Sequence, residues 1–417
     1  MKSVSVGLGW VMVAACIAVV LGRVPARADL ALEISADKTQ YLVDEPLYVT
    51  VVLTNSGDRE ARTLRLFHPG AHILSFEIAP PGLQPHWHKP WVEFSMVRDG
   101  FAKAAVRLGP GEQYSAVVDL TYDGKRGIVL SRAGEYVIGA RYVIGEDLPA
   151  GLVDVRSNEL RIVVKEPEGV DRGAHEVLKK GARTHDQGPW NSYAEQRGCY
   201  EELVGKFPRS GYAPYTRYYL GHVCQCDGTF KSLGKRGTPE GAARIRRAAE
   251  LYRDAAGEMS DTAFGAKAMR VSARAFAKVG DTARAEALFE EAFTLPAATD
   301  ADRLEVLSWL KHLEGGLFHH DSGLARQMKL TRLRLPLRRF AEAMGLLVEW
   351  DPEKQYAKVT GRGVKAVVWP GEHPMLISGG YRTDVTVSVR NGRVLVSRSV
   401  IEALMAAQLG RDASQEW

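Results

Sequence analysis

LPLRRFAEAMG, residues 335–345, has a partial copy sixty residues later in LVSRSVIEALM, residues 395–405. Leu335/Leu395, Arg338/Arg398, Glu342/Glu402 and Ala343/Ala403 are shared, and Phe340/Val400 and Met344/Leu404 are apolar in register. Each copy predicts a short helix. Pro336 sits where a first-turn proline is tolerated, Leu337, Phe340, Ala341 and Met344 make one apolar face, and Gly345 stops the helix. In the second copy Ser397 is the expected N-cap and Val400, Ile401 and Leu404 make the face. Arg338–Glu342 and Arg398–Glu402 are i,i+4 pairs, worth tenths of a kcal/mol when exposed. Between the helices run the strand-like segments LLVEW, YAKVT, VKAVVW and VTVSV, with Asn391-Gly392 as the last hairpin signal. A helix and a small sheet cannot bury both their apolar faces alone; two such halves facing each other can.

This pattern resembles the copper amine oxidase-like N-terminal domain, a stalk-type module. The resemblance rests on Leu335-Pro336-Leu337-Arg338, Glu342-Ala343-Met344-Gly345 and Trp350-Asp351, and on Asn391-Gly392-Arg393, Arg398 and Glu402-Ala403-Leu404 in the return copy. Val396 stands where the family has proline and Met405 where it has glycine. The resemblance covers residues 326–417, implies an accessory envelope module in an exported bacterial protein, and carries over no catalytic residue.

Upstream the texture is helical, over residues 168–320. AEQRGCYEELVGKFPRSGYAPYTRYYLG (194–221) places apolar and aromatic residues three and four apart, broken at Pro208–Gly211. Ala248, Tyr252 and Ala255 are echoed by Ala285, Phe289 and Ala292, an offset of 37 residues. Small residues at these places let helices approach, while the aromatic ring fills the gap to the next hairpin. The pattern resembles degenerate tetratricopeptide-type repeats, interrupted at 227–241; an unrelated bundle of helical hairpins is the alternative.

Residues 29–167 read as short strands separated by turn signals such as NSGD, APPG and YDGKRG. Tyr41–Pro46 before a long strand, and Ala133–Tyr142 near the end, resemble the immunoglobulin-like modules of exported bacterial proteins. The expected architecture is therefore multidomain: an all-β immunoglobulin-like sandwich, α-helical tetratricopeptide-like repeats, and a small α+β domain with an internal repeat.

Residues 1–28 stand apart. Lys2, an apolar run over 6–22 and Ala26-Arg27-Ala28 predict a secretory signal peptide cut after Ala28. Val13-Ala14-Ala15-Cys16 offers the alternative of a lipoprotein anchored at Cys16, although the apolar run continues past it. Cleavage lowers the formal charge from +5 to +2, which gives no global case for nucleic acid, and no later segment is long enough to span a bilayer. Cys199, Cys224 and Cys226 remain; in an oxidising compartment two of them are expected to pair.

Candidate chemistry is sparse. His68, His72, His86 and His88 fall within 21 residues and would suit zinc or copper if strands gathered them; solvated loop histidines are the plainer reading. His222 with the cysteines could also ligate a metal, but disulfide formation is favoured; His319, His320 and Asp321 read as a linker. Arg332 and Arg334, on one face of a strand, would meet an anionic wall polymer or simply guard a sheet edge. Tyr215, Tyr218 and Tyr219 are candidates for a protein-contact surface on the repeats or for inter-repeat core. H-E-x-x-H, G-x-S-x-G and P-loop motifs are absent from the sequence. The expectation is an exported, non-catalytic envelope scaffold without a cofactor, periplasmic or secreted. It would bind a protein or peptide on its repeats, with the C-terminal module associating with the envelope. The alternatives are a metal-handling protein using the histidine-rich loop and a sandwich that docks on an extracellular protease.

Overall fold

The computed structural model describes residues 29–64, 67, 73–90, 105–144, 153–182, 196–229, 238–314, 334–351, 356–361, 364–368, 375–377, 380–382, 387–390 and 393–408. The expected signal peptide, Cys16 and His319–Asp321 lie outside the described residues.

Period-two burial organises the first region. β1 (Leu30–Ala36), β3 (Tyr48–Asn55) and β8 (Gln113–Asp119) form one antiparallel sheet in which Val51 stands between Ile34 and Ala116. A second sheet runs β2 (Gln40–Leu42), β13 (Leu160–Lys165), β11 (Gly134–Ile144), β5 (Leu74–Ala79), β6 (His86–Trp87), with β12 (Val153–Arg156) also on β11. Among the described residues its one parallel strand pairing is β13 with β2. Val49, Val51 and Leu53 of the first sheet and Tyr136, Ile138, Tyr142 and Ile144 of the second are buried. β4 (Ala61–Leu64) pairs with β7 (Ala105–Leu108) and is tied to β11 by the buried Tyr142 hydroxyl, which accepts from Leu64 N at 3.0 Å and donates to Leu64 O at 2.8 Å. β9 (Tyr122–Asp123) and β10 (Gly127–Ile128) form a small hairpin.

The middle region is a succession of helices: α1 (Gly169–Ala182), α2 (Arg197–Lys206), α3 (Ala213–Thr229), α4 (Pro239–Glu258), α5 (Ala263–Lys278), α6 (Thr282–Thr294) and α7 (Asp300–Glu314). Thr238 and Thr262 cap α4 and α5 by accepting from Gly241 N and Gly265 N. Gly280, at φ +77°, closes α5, with Asp281 N donating back to Phe276 O at 3.1 Å. All six residues of the 37-residue echo are fully buried. Tyr252 of α4 packs on α3 at Gly221, where an added Cβ would lie 2.7 Å from the ring; Phe289 of α6 stacks on Trp309 of α7.

In the third region both copies of the repeated stretch are helical, α8 (Leu337–Ala343) and α9 (Arg398–Gln408). β14 (Arg334–Pro336) pairs antiparallel with β21 (Arg393–Ser397), so the two copies meet through the strands that lead into their helices. β20 (Val387–Arg390) flanks β21. A five-stranded meander completes the domain: β15 (Leu347–Asp351), β16 (Tyr356–Gly361), β17 (Val364–Val368), β18 (Met375–Ile377) and β19 (Gly380–Arg382). Leu337, Phe340, Ala341, Met344, Val400, Ile401 and Leu404 are all buried. The chain is thus multidomain, with a β-sheet region first, a helical region in the middle and a small β-rich domain last.

The regions dock on one another. Both Asp37 carboxylate oxygens accept from Ala263 N at 3.0 Å, so the β region supplies an additional cap to α5. Asp119 meets Lys267 at 3.0 Å, and Asp300 accepts from Ser115 N and Oγ at 2.9 and 2.8 Å. Tyr212 donates to Val43 O at 2.6 Å, and His175 lies 2.9 Å from Asp44. The last domain docks on α6 through Phe340 against Phe293, with centroids 4.5 Å apart, and through Arg339 to Glu290 at 3.0 Å.

Candidate functional site

The tyrosines proposed as a contact surface are mostly internal. Tyr215 and Tyr218 are buried and Tyr219 is partly buried. Tyr215 and Tyr218 pack on Phe264 with centroids 4.6 and 5.1 Å apart, and Tyr48 of β3 reaches the same ring at 5.3 Å. They fill the seam between β region and helices, and Tyr218 also borders the cleft on α5. Burial pushes all three phenols above the ordinary tyrosine pKa.

The three cysteines are unbridged. Cys224 and Cys226 lie two residues apart on α3 and project from different faces, so they cannot pair with each other. Cys199 is on α2. An expected disulfide would therefore have to join Cys199 to one of the two cysteines of α3.

His68 and His72 lie outside the described residues. His86 and His88 occupy and follow β6, but the neighbouring Asp123 is already committed: it accepts from Lys89 N, Lys125 N and Arg126 N at 2.8–3.0 Å. His88 Nε2 lies 3.1 Å from Tyr122 O, and His86 Nε2 lies 3.9 Å from Asp123. Burial lowers both imidazole pKa values. This pair holds the β9–β10 hairpin against β6. Among the described residues, no group of three or more His, Cys, Asp or Glu is placed to hold a metal ion. Arg332 lies outside the described residues, and Arg334 belongs to β14, a strand paired with β21. Farther along the same basic run, Arg338 donates to Val348 O at 3.3 Å and Arg339 pairs with Glu290, which commits both to the fold.

A site that the sequence reading did not single out lies on α5. Lys267, Arg270, Arg274 and Lys278 recur at three- and four-residue steps and so share one helical face, over about 16 Å of axis. They line a cleft of about 200 Å³ with Val271, with Tyr218, His222 and Gln225 of α3, and with Glu305 of α7. The periodicity of these cations was visible in the sequence; what was not visible is that α3 and α7 turn that face into a concave wall.

The ionic contacts of the cleft are uneven. Arg270 Nη1 lies 2.8 Å from Asp302 Oδ1 and 3.5 Å from Glu305 Oε2, and Arg274 Nη1 lies 3.1 Å from Glu305 Oε1. Asp119 takes Lys267 at 3.0 Å. Arg270 Nε and Arg274 Nε are buried and have no hydrogen-bond partner. His222 packs edge-on against Tyr218 and Tyr252, at 4.7 and 5.3 Å between centroids. Burial, reinforced by Lys267, Arg274 and Lys278, lowers its pKa to about 4, so its imidazole is neutral at neutral pH.

No curated protein matches the chain. Among solved structures, the CARDB domain of a Pyrococcus furiosus protein, solved in complex with di-metal ions, is similar at 14% identity over 33% of this chain and 93% of that one, with a TM-score of 0.18. The sporulation control protein Spo0M of Bacillus subtilis is similar at 14% identity over 37% and 56%, with a TM-score of 0.20. A β-glucosidase of Listeria innocua, solved with isofagomine, is similar at 12% identity over 33% of this chain and 16% of that one, with a TM-score of 0.19. No described helix is long and apolar enough to cross a membrane. Residues 324–416 match the family model of the copper amine oxidase N-terminal domain, and it is this C-terminal segment alone that the match assigns.

Proposed function

We propose that the chain is an exported, non-catalytic scaffold of the bacterial cell envelope that receives a partner protein on its helical region. In this reading the β region is an immunoglobulin-like sandwich, the helices are tetratricopeptide-like hairpins, and the C-terminal module associates with the envelope. The observation that carries it is the cationic wall of α5, set back between α3 and α7 beside the docked β region. The buried 37-residue echo supports the repeat reading, because alternate helices α3, α5 and α7 then share the inner face of the array. Export rests on the character of residues 1–28 and on the kind of module matched at the C-terminus. With Phe340 packed on Phe293, the C-terminal module holds the array firmly wherever it is itself held.

The test is site-specific photocrosslinking of the full chain in the producing cell. A photoreactive residue at Val271, inside the cleft, is expected to give a discrete protein adduct, and one at the exposed Arg253 on α4 is not. Equal labelling from both positions, or none from Val271, would remove the array as the working surface.

A further inference from the structure

We infer that strand β8 is a crossbar that fixes α7 against α5 and thereby sets whether the cleft they line admits a partner. The inference rests on the reading of that cleft as the binding surface and adds how the surface is regulated.

The crossbar follows from strand periodicity. Side chains of β8 alternate between its faces, so Ser115 and Asp119 stand on one face, four residues and about 13 Å apart. The opposite face carries Tyr114, Ala116 and Val118 into the core of the β region. Ser115 holds the first residue of α7. Its N and Oγ donate to Asp300 Oδ2 at 2.9 and 2.8 Å, and its Oγ accepts from Asp300 N at 3.0 Å. Asp119 holds α5 by accepting from Lys267 Nζ at 3.0 Å. The register sets Tyr48 of β3 directly beside Asp119, and the Tyr48 ring lies 5.3 Å from Phe264 and 4.6 Å from Lys267 Nζ. Asp37, one residue beyond the Ala36–Val49 pair, caps Ala263. One end of the sheet thus grips α5 over residues 263–267, and a second point on β8 grips α7.

Both grips reach the cleft within about one helical turn. Lys267 lines the cleft itself, and Arg270 follows it three residues later. Asp302, which anchors Arg270, lies two residues after Asp300 in the first turn of α7, and Glu305 continues the same wall. The carboxylates that orient Arg270 and Arg274 are therefore carried by a helix whose start is fixed on Ser115. The Asp300 and Asp302 side chains are 5% and 7% exposed, so water is poorly placed to replace these bonds and breaking them is costly. β8 is itself paired with β3 along residues 113–119. A shift of β8 moves the start of α7 against α5, and a cleft of about 200 Å³ has little width to lose. By reciprocity, a partner seated in the cleft tightens the seam with the β region.

The experiment uses the full chain, spin-labelled through noncanonical residues at Gln225 on α3 and Ser308 on α7, which leaves the native cysteines untouched. Double electron–electron resonance reads the distance across the cleft, and photocrosslinking at Val271 is run on separate preparations. Ser115→Val removes the hydroxyl but suits a strand, and Asp119→Asn discharges the Lys267 bridge while keeping an acceptor for Thr121 N. Together they are expected to broaden the distance distribution and to cut the Val271 adduct about fivefold or more. Ser115→Thr with Asp119→Glu, which keep the hydroxyl and the charge, should restore both. Where the first pair does not fold, as judged by circular dichroism, Asp119→Asn alone is read in the same way. An unchanged distribution, or a broadened one with an undiminished adduct, would overturn the inference. An adduct that falls while the distribution stays unchanged leaves the scaffold reading intact and removes this one. If even the parent gives no adduct, the partner reading falls, and the distance distribution alone decides the crossbar.

Discussion

Gly265 and Gly257 lie at the two sides of the turn that launches α5, and replacing each with alanine should have opposite effects. Helix propensity alone favours alanine by about 1 kcal/mol at either position. At Gly257, exposed in the last turn of α4, an added Cβ meets nothing within 4 Å, so a gain of about 0.5–1 kcal/mol is expected. At Gly265 the added Cβ would lie 1.8 Å from Met259 O and 2.5 Å from Met259 C, backbone atoms that cannot rotate away. That carbonyl must retreat by well over ~1 Å to reach a tolerable contact, and it is not free to do so. Met259 O accepts from Thr262 N at 3.0 Å and from Thr262 Oγ1 at 2.8 Å, and Thr262 Oγ1 in turn accepts from Gly265 N at 3.0 Å. Losing the cap and one turn hydrogen bond costs about 2 kcal/mol, and overpacking adds about 1–3 kcal/mol. Set against the propensity gain, Gly265→Ala should destabilise by about 2–4 kcal/mol. Urea unfolding of the full chain, followed by circular dichroism, measures both variants against the parent. Gly265→Ala at or above the parent midpoint would refute the packing of this turn, and with it the placement of the cationic stripe that starts two residues later.

Phe340→Ala should cost about 3–5 kcal/mol, because the ring is fully buried on Phe293, and amide exchange should accelerate in α6 and α8 together. Asp37→Ala should cost about 1–2 kcal/mol through loss of the Ala263 cap, and more than Asp119→Ala, whose partly exposed bridge to Lys267 is worth about 1 kcal/mol or less; urea midpoints rank the two. His222, with its folded pKa lowered to about 4 from 6.5, stays neutral where the unfolded chain already binds a proton, so its contribution is present above pH 6.5 and is lost as pH falls toward 4. His222→Phe keeps the contacts to Tyr218 and Tyr252 and should flatten the stability profile in that window by up to about 3 kcal/mol; superimposable profiles would show that the imidazole is not shielded.

Local periodicity was readable wherever one face of an element carries the core. The alternation in β3 and β11, the echo of Ala248, Tyr252 and Ala255 at Ala285, Phe289 and Ala292, and the doubled helix of the last domain all reappear as buried faces. Short strands such as β2, β6, β10 and β12 were not expected, because two to four residues carry no period and owe their geometry to a neighbour. The tyrosines of α3 show the limit most plainly. A helix with aromatic residues on adjoining faces can serve as core or as surface, and only the docking of Tyr48 and Phe264 makes Tyr215 and Tyr218 core.

The same docking explains why the candidate site escaped a reading of motifs. Its cations are separated from their counter-charges by long stretches of chain: Lys267 finds Asp119, while Arg270 and Arg274 find Asp302 and Glu305 across a helix turn and a second hairpin. In the sequence the α5 stripe is indistinguishable from a solvated charged face, the commonest fate of such spacing. Tertiary structure converts it by two steps. The β region occupies one end of the wall and neutralises Lys267 there, and α7 anchors one side of each guanidinium without using the other. A surface meant only to stay soluble would leave these arginines extended into water. Here Arg270 is nine-tenths buried and anchored on Asp302, with its Nε left without an acceptor, which an ordinary solvated charged helix would not show.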